Sequence, residues 1–304
     1  MNQQTSITQA IIDAHAHLAL PQDYAEPATA QSQLSSANES DIFTAVKTAC
    51  LHLGFVEIDA QCVASAWQRS VERTGLFDVN AWPTEPEDFG MKPWPREDAF
   101  LPCPKNLGLY AVLPDAAWVA RMAKAGVPTV QLRYKSDDQN AIRREVQAAV
   151  EAVKGTGALL FINDHWEAAI EAGAYGVHLG QEDMVDADLI KIRAAKLRLG
   201  LSSHGFAEMM RADKFSPSYI ACGAIYPTTL KRMMSAPQGP GRLHLYARLM
   251  SSYPLVAIGG IDASKLPEVL ASGVGSVAVV RALVVAEHPE AEAASFQAAI
   301  RAAS

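Results

Sequence analysis

From Leu107 onward the chain repeats one pattern eight times: a short apolar run, a turn, then a stretch with helical period. The apolar runs sit in NLGLYAVLP, VPTVQLRYK, ALLFIND, YGVHLGQED, RLGLSSHG, SYIACGAIYPTTLK, PLVAIGGI and SVAVV, and the last helical stretch is EAEAASFQAAIRAA. Uninterrupted apolar runs of strand length suit a parallel sheet buried on both faces. Eight such units make a minimal (β/α)8 TIM barrel, an α/β fold. A doubly wound open sheet also alternates strand and helix. It does not require eight units, however, and the chain carries neither a GxGxxG nor a P-loop fingerprint.

Residues 1–106 fall outside this repeat and predict a mostly helical or irregular N-terminal extension, an accessory or remnant domain beside a barrel domain at 107–304. IIDAHAHLAL suggests a strand ending in a His-x-His pair. With Asp13, His15 and His17 resemble the opening metal motif of amidohydrolase-type barrels, but the other six histidines do not complete such a set, so the pair is expected to be incidental or locally structural. Gln22 to Ser40 is polar and predicts a linker. Asp41 to Gly54 has helical period with Asp41 as cap, and Ala64 to Gly75 predicts a second helix. The proline-rich stretch from Asn80 to Pro104 is expected to be an ordered linker packed by Trp82 and Trp94.

With 304 residues, 49% of them apolar, the chain can bury a large core, and its net charge of -7 disfavours a nucleic-acid partner. The four cysteines lack metal or CxxC spacing. The N-terminus has no signal-peptide pattern and no apolar run is long enough to span a bilayer, so a soluble, cytoplasmic chain without membrane partners is expected. Oligomeric state is not legible.

In a TIM barrel the groups leaving the C-terminal strand ends line the active site. Here strand 2 ends in Gln131, Arg133 and Lys135, which alternation places on one side. Two cations at the mouth of an acidic protein call for an anion, or for a salt-bridged structural role. Strand 3 ends in Asn163 and Asp164 and strand 4 in Asp183. Two carboxylates on neighbouring strand ends suit Mg²⁺ completed by phosphate oxygens, although Asp164 is also placed to cap a helix. Ser202, Ser203 and His204 end strand 5, where they either cap the next helix or meet a phosphate. Thr228, Thr229 and Lys231 follow strand 6. Gly259-Gly260-Ile261 after strand 7, with Val280 and Arg281 after strand 8, form the usual phosphate cradle of this fold. Together these groups predict two phosphorylated small-molecule substrates, one a metal-bound diphosphate. No Cys-His or Ser-His-Asp arrangement suggests covalent catalysis.

Through VQLRYK, FINDHWEAAIEAGAYGVHLGQED, LGLSSHG, GAIYPTTLKRMMSAPQG, VAIGGI and VAVVRAL, in that order, the chain resembles the thiamine phosphate synthase family over about 107–300. The resemblance implies a transferase of thiamine biosynthesis, joining 4-amino-2-methyl-5-hydroxymethylpyrimidine diphosphate to 4-methyl-5-(2-phosphooxyethyl)thiazole, or its carboxylated form, with release of diphosphate. In that family the diphosphate departs largely before the thiazole nitrogen attacks. The resemblance implies Arg133 and Lys135 as the diphosphate clamp, helped by Asn163 and Lys231, with Gln131 facing the pyrimidine. It implies Asp164 and Asp183 on Mg²⁺, Ser202 (more than Ser203) by the diphosphate, and Thr228, the Gly260 backbone and the backbone at Val280 and Arg281 on the thiazole phosphate. The family's Thr-x-Thr-Lys run is here Thr228-Thr229-Leu230-Lys231, so one hydroxyl is lost at Leu230 unless Thr229 replaces it, at a cost of roughly 1.5–3 kcal/mol of binding. Tyr134 stands where a Glu is common. Other expectations compatible with the sequence are a relative that handles thiazole tautomers, which would lack the diphosphate clamp, and a phosphate-binding module without turnover.

Overall fold

The computed structural model describes residues 3–20, 40–94, 96–228 and 236–303. The eight predicted strands are present and short: β1 (Gly108–Leu113), β2 (Thr129–Leu132), β3 (Leu159–Asn163), β4 (Gly176–Leu179), β5 (Arg198–Ser203), β6 (Tyr219–Cys222), β7 (Leu255–Ile258) and β8 (Ser276–Val279). Each pairs in parallel with its sequence neighbour, and β1 pairs with β8, closing the barrel. Closure leaves no strand edge, and it brings every C-terminal strand end to one mouth. The helices around the barrel are α4 (Ala116–Lys124), α5 (Gln139–Val153), α6 (Trp166–Ala172), α7 (Leu189–Ala194), α8 (Phe206–Asp213), α9 (Gly239–Leu249), α10 (Leu266–Leu270), α11 (Arg281–Val284) and α12 (Pro289–Ala302).

Inside the barrel, Tyr110, Val112, Phe161, Tyr219, Ala221, Val256 and Ala278 form their own buried cluster. Two glycines make this interior possible. A Cβ on Gly176 would lie 2.5 Å from the Phe161 ring, and one on Gly200 would lie 2.1 Å from the Tyr219 ring. Without those side chains the Phe161 and Tyr219 rings share the narrow lumen, their centroids 5.0 Å apart.

Among the described residues, α1 (Gln3–Ala14), α2 (Asp41–His52) and α3 (Glu57–Thr74) precede the barrel. The strand expected at IIDAHAHLAL is instead the end of α1 followed by a 3-10 turn at Ala16–Leu18. Its apolar residues fall at helical spacing, with Ile11 and Leu18 buried. His15 is buried too, and its Nε2 pairs with the Val79 carbonyl at 2.9 Å while its ring meets Trp82 edge-on. His15 therefore has a structural role, while His17 is exposed. α2 is capped by the Ser40 hydroxyl, which accepts from Phe43 N at 3.1 Å, so Asp41 is the first helical residue rather than the cap. α3 begins at Glu57, well before the expected Ala64, and stops at left-handed Gly75. Residues 21–39, most of the expected linker, lie outside the described residues.

The stretch after α3 is irregular and packed by tryptophans, as expected. Trp82 stacks on Phe55, and Trp94 meets Tyr253 edge-on at 5.1 Å. Among the described residues no helix is long and apolar enough to cross a membrane.

Asp59 of α3 accepts a 2.8 Å hydrogen bond from Ala207 N in the first turn of α8. Burial raises its pKa from 3.8 to about 6, against the opposing pull of that bond, Arg242 and His204, and with Glu208 adding to the rise. The folded state thus holds this proton more tightly than the unfolded chain, so stability falls as pH rises between those two values. Asp59→Asn keeps an acceptor for Ala207 and removes the charge. The melting temperature of the variant relative to the parent is expected to rise from pH 4 to pH 7; a difference that stays constant would refute this.

Candidate functional site

β2 stops at Leu132, and one further ladder bond, from Arg133 N to Leu113 O at 2.8 Å, carries Arg133 onto the rim. Lys135 lies beyond the strand and is exposed, so strand alternation does not extend to it. Neither cation makes an ion pair with a described residue, so no salt-bridged structural role is present among them. Tyr134 between them packs against the core, and its carbonyl pairs with His165 Nε2 at 3.0 Å, tying the β2 and β3 rims together.

Asn163 ends β3, opposite His178 of β4. The next residue, Asp164, has φ +62°, a left-handed conformation that aspartate tolerates better than most residues. Its backbone N–H donates to His178 O at 3.0 Å. α6 is capped at His165 without a side-chain bond, so Asp164 is not the helix cap that its position allowed. Its carboxyl instead meets that of Asp183, which opens a 3-10 turn after β4 and accepts from Gly180 N at 2.8 Å. Crowding by the protein, together with the charge and hydrogen bond of Asp183, raises the Asp164 pKa to about 6; His165 and Arg133 pull the other way. Although the residue is exposed by area, two carboxyls held this close resist ionising together. A dication relieves that repulsion, and two carboxylates with open solvent before them fit an ion such as Mg²⁺ that takes its remaining oxygens from phosphate and water. No cluster of three or more His, Cys, Asp or Glu metal ligands occurs among the described residues.

Below the rim runs a chain of buried hydrogen bonds. Gln131 Nε2 donates to Tyr110 OH at 3.0 Å, and Tyr110 OH meets Tyr219 OH at 2.7 Å. Tyr219 OH meets His178 Nδ1 at 2.7 Å, and His178 Nε2 meets Ser202 Oγ at 2.8 Å. Gln131 Nε2 can only donate, so every member is satisfied if each hydroxyl passes its proton onward and His178 carries its hydrogen on Nε2. Burial lowers the His178 pKa to about 4, so the ring is neutral near pH 7, in agreement with that tautomer. Ser202 then accepts from His178, and its own proton is left to donate into the mouth. Ser203 is buried and donates to Ala221 O, while His204 Nδ1 pairs with Glu208 at 2.7 Å at the start of α8. Ser202 alone of the three thus faces the site. Tyr110, Tyr219 and His178 were not singled out in the sequence, although a polar ring inside each of three apolar strands was the available signal.

On the far side, Gly259 and Gly260 follow β7 with φ +102° and +65°. A Cβ on Gly260 would lie 2.5 Å from Pro227 O, so only glycine admits this close approach. Val280 caps α11 beside them, and Arg281 is its first residue. Thr228 lies at the end of the described part of this rim, and Thr229, Leu230 and Lys231 lie outside the described residues. Gln131, Arg133, Asn163, Asp164, Asp183, Ser202, Thr228, Gly260 and Val280 all sit at or just beyond C-terminal strand ends of the closed barrel.

Residues 109–283 match the sequence model for Thiamine monophosphate synthase. The chain belongs to this family. A thiamine-phosphate synthase from Neisseria meningitidis serogroup A is 55% identical over 199 residues, 66% of this chain and 97% of the relative. One from Yersinia pseudotuberculosis is 50% identical, over 60% of this chain and 85% of its own. Among solved structures, a thiamine phosphate pyrophosphorylase from Pyrococcus furiosus superposes with a TM-score of 0.58 at 25% identity, over 66% of this chain and 98% of its own. The family match begins inside β1, leaving α1, α2 and α3 outside it.

Proposed function

We propose that the barrel mouth performs the reaction of the family. It joins 4-amino-2-methyl-5-hydroxymethylpyrimidine diphosphate to 4-methyl-5-(2-phosphooxyethyl)thiazole, or its carboxylated form, to give thiamine phosphate and diphosphate. The observation that carries this reading is the Asp164–Asp183 pair, two mutually repelling carboxyls with Arg133 alongside, on a rim where neither Arg133 nor Lys135 makes an ion pair with a described residue.

In the proposed mechanism Arg133 and Lys135, with Asn163 and Lys231, hold the diphosphate and take up the charge that grows on it as the carbon–oxygen bond breaks. Preorganised donors aimed at developing charge lower such a barrier most effectively. Ser202, oriented by His178, donates a further hydrogen bond to the diphosphate. Gln131, fixed through its Nε2, presents its amide to the pyrimidine. Asp164 and Asp183 would hold Mg²⁺, which when bound neutralises phosphate charge and aids its departure. Thr228, Thr229, the Gly260 backbone and the backbone at Val280 and Arg281 hold the thiazole phosphate, so the ring nitrogen faces the exposed methylene carbon. The nitrogen supplies an electron pair and the diphosphate leaves as an anion, so neither carboxylate needs to act as general acid or base.

The test is formation of thiamine phosphate from the two substrates with Mg²⁺. Turnover is expected; absence of product at high protein concentration would refute the reading and favour a binding role.

A further inference from the structure

The N-terminal helices reach the two rims that follow β5 and β6. On the first, Asp59 of α3 bonds Ala207 N just beyond the Ser202–His204 strand end. On the second, Arg242 of α9 is only 2% exposed and makes no ion pair with a described residue. It donates instead to two N-terminal carbonyls, Leu18 O at 3.1 Å and Leu53 O at 2.8 Å, and lies 3.6 Å from the centre of the Phe55 ring. A buried guanidinium held by carbonyls is costly compared with a well-packed apolar side chain. Its planar fork, however, can bridge two acceptors in fixed geometry as a lysine cannot.

The fork also touches Gln238, whose Oε1 accepts from Tyr246 OH at 2.8 Å and from Arg242 at 3.4 Å. Gln238 is itself buried, and its Nε2 donates to Ala236 O at 2.8 Å. Its backbone N–H donates to Ala224 O at 2.8 Å, and that of Gly239 donates to Ile225 O at 2.9 Å. From the other side, Ile225 N and Tyr226 N donate to Ile258 O and Gly259 O. The segment leading to Thr228 is thus clasped between α9 and the glycine turn after β7, with the N-terminal helices backing the α9 side.

We infer that Arg242 is a positioning residue, through which the N-terminal helices hold the Ala224–Thr228 rim against Gly260 and so set affinity for the thiazole phosphate. This rests on the proposed assignment of Thr228 and Gly260 to that phosphate. Kinetics of the full-length protein test it. Arg242→Lys cannot bridge both carbonyls, and Gln238→Leu cuts the next link. Each is expected to raise KM for the thiazole phosphate about fivefold or more, while KM for the pyrimidine diphosphate changes less than about twofold. The double variant is expected to match the larger single effect, because both act along one chain of contacts. If Arg242→Lys does not fold, Gln238→Leu decides alone. An unchanged KM for the thiazole phosphate, an equal rise in both KM values or fully additive effects would overturn the inference. Thr228→Ala separates the two levels. If it raises that KM and the Arg242 and Gln238 variants do not, only the inference fails; if Thr228→Ala has no effect, the site assignment fails and takes the inference with it.

Discussion

Asp164→Asn is expected to lower turnover about tenfold or more, a loss of about 1.4 kcal/mol or more of transition-state stabilisation, without unfolding the protein. Asparagine tolerates the left-handed backbone of this position at least as well as aspartate, whereas alanine adds a steric cost there. The substitution also removes one member of a like-charged pair; burial first, and then the charge and hydrogen bond of Asp183, raise the Asp164 pKa to about 6. Without Mg²⁺ the variant should therefore melt no lower than the parent at neutral pH. Adding Mg²⁺ with inorganic diphosphate should raise the melting point of the parent, because a ligand bound only by the folded state stabilises it by mass action. The variant should show little of that shift. Asp164→Ala is expected to lose turnover to the same degree. Retention of both the parental rate and the thermal shift would remove Asp164 from the metal site. A site built from repelling carboxyls gives up local stability for function, so gain of stability and loss of rate in one variant separate this role from a structural one.

The barrel was legible because each strand is an unbroken apolar run, closed by residues whose polarity marks the rim. The rim residues were legible for the same reason: Asp164 and Asp183 appear where β3 and β4 stop, although nothing local in the sequence shows the two carboxyls meeting. The resemblance favoured Ser202 over Ser203, and the register gives the physical reason, since a step of one residue turns one hydroxyl into the mouth and the other onto Ala221. Tyr110, Tyr219 and His178 escaped notice because each lies on a different strand, and only closure of the barrel joins them. In the N-terminal region, IIDAHAHLAL was misread as a strand because a brief apolar run does not distinguish strand from helix. Asp41 lost the capping role to Ser40 by one position, since either residue type can cap.

Lys135→Ala is the second large effect expected, with turnover falling about tenfold or more and stability little changed. Lys135 is exposed and has no ion pair with a described residue, and replacements at such surface positions usually alter stability by about 0.5 kcal/mol or less. Its whole value therefore lies in meeting an anion. If it acts on charge that develops as diphosphate departs, kcat and kcat/KM should fall together; if it only gathers substrate, KM should rise and kcat should stay. The first outcome is expected, because the ammonium can follow the departing group from outside the rim, while Arg133 stands in the electrostatic field of Asp164. A cation that only steers substrate would lose its effect as salt screens it, at a Debye length of about 8 Å in physiological salt. The deficit in kcat for Lys135→Ala should instead persist at high salt. A variant that turns over at the parental rate would take Lys135 out of the site and leave Arg133 and Lys231 to balance the diphosphate.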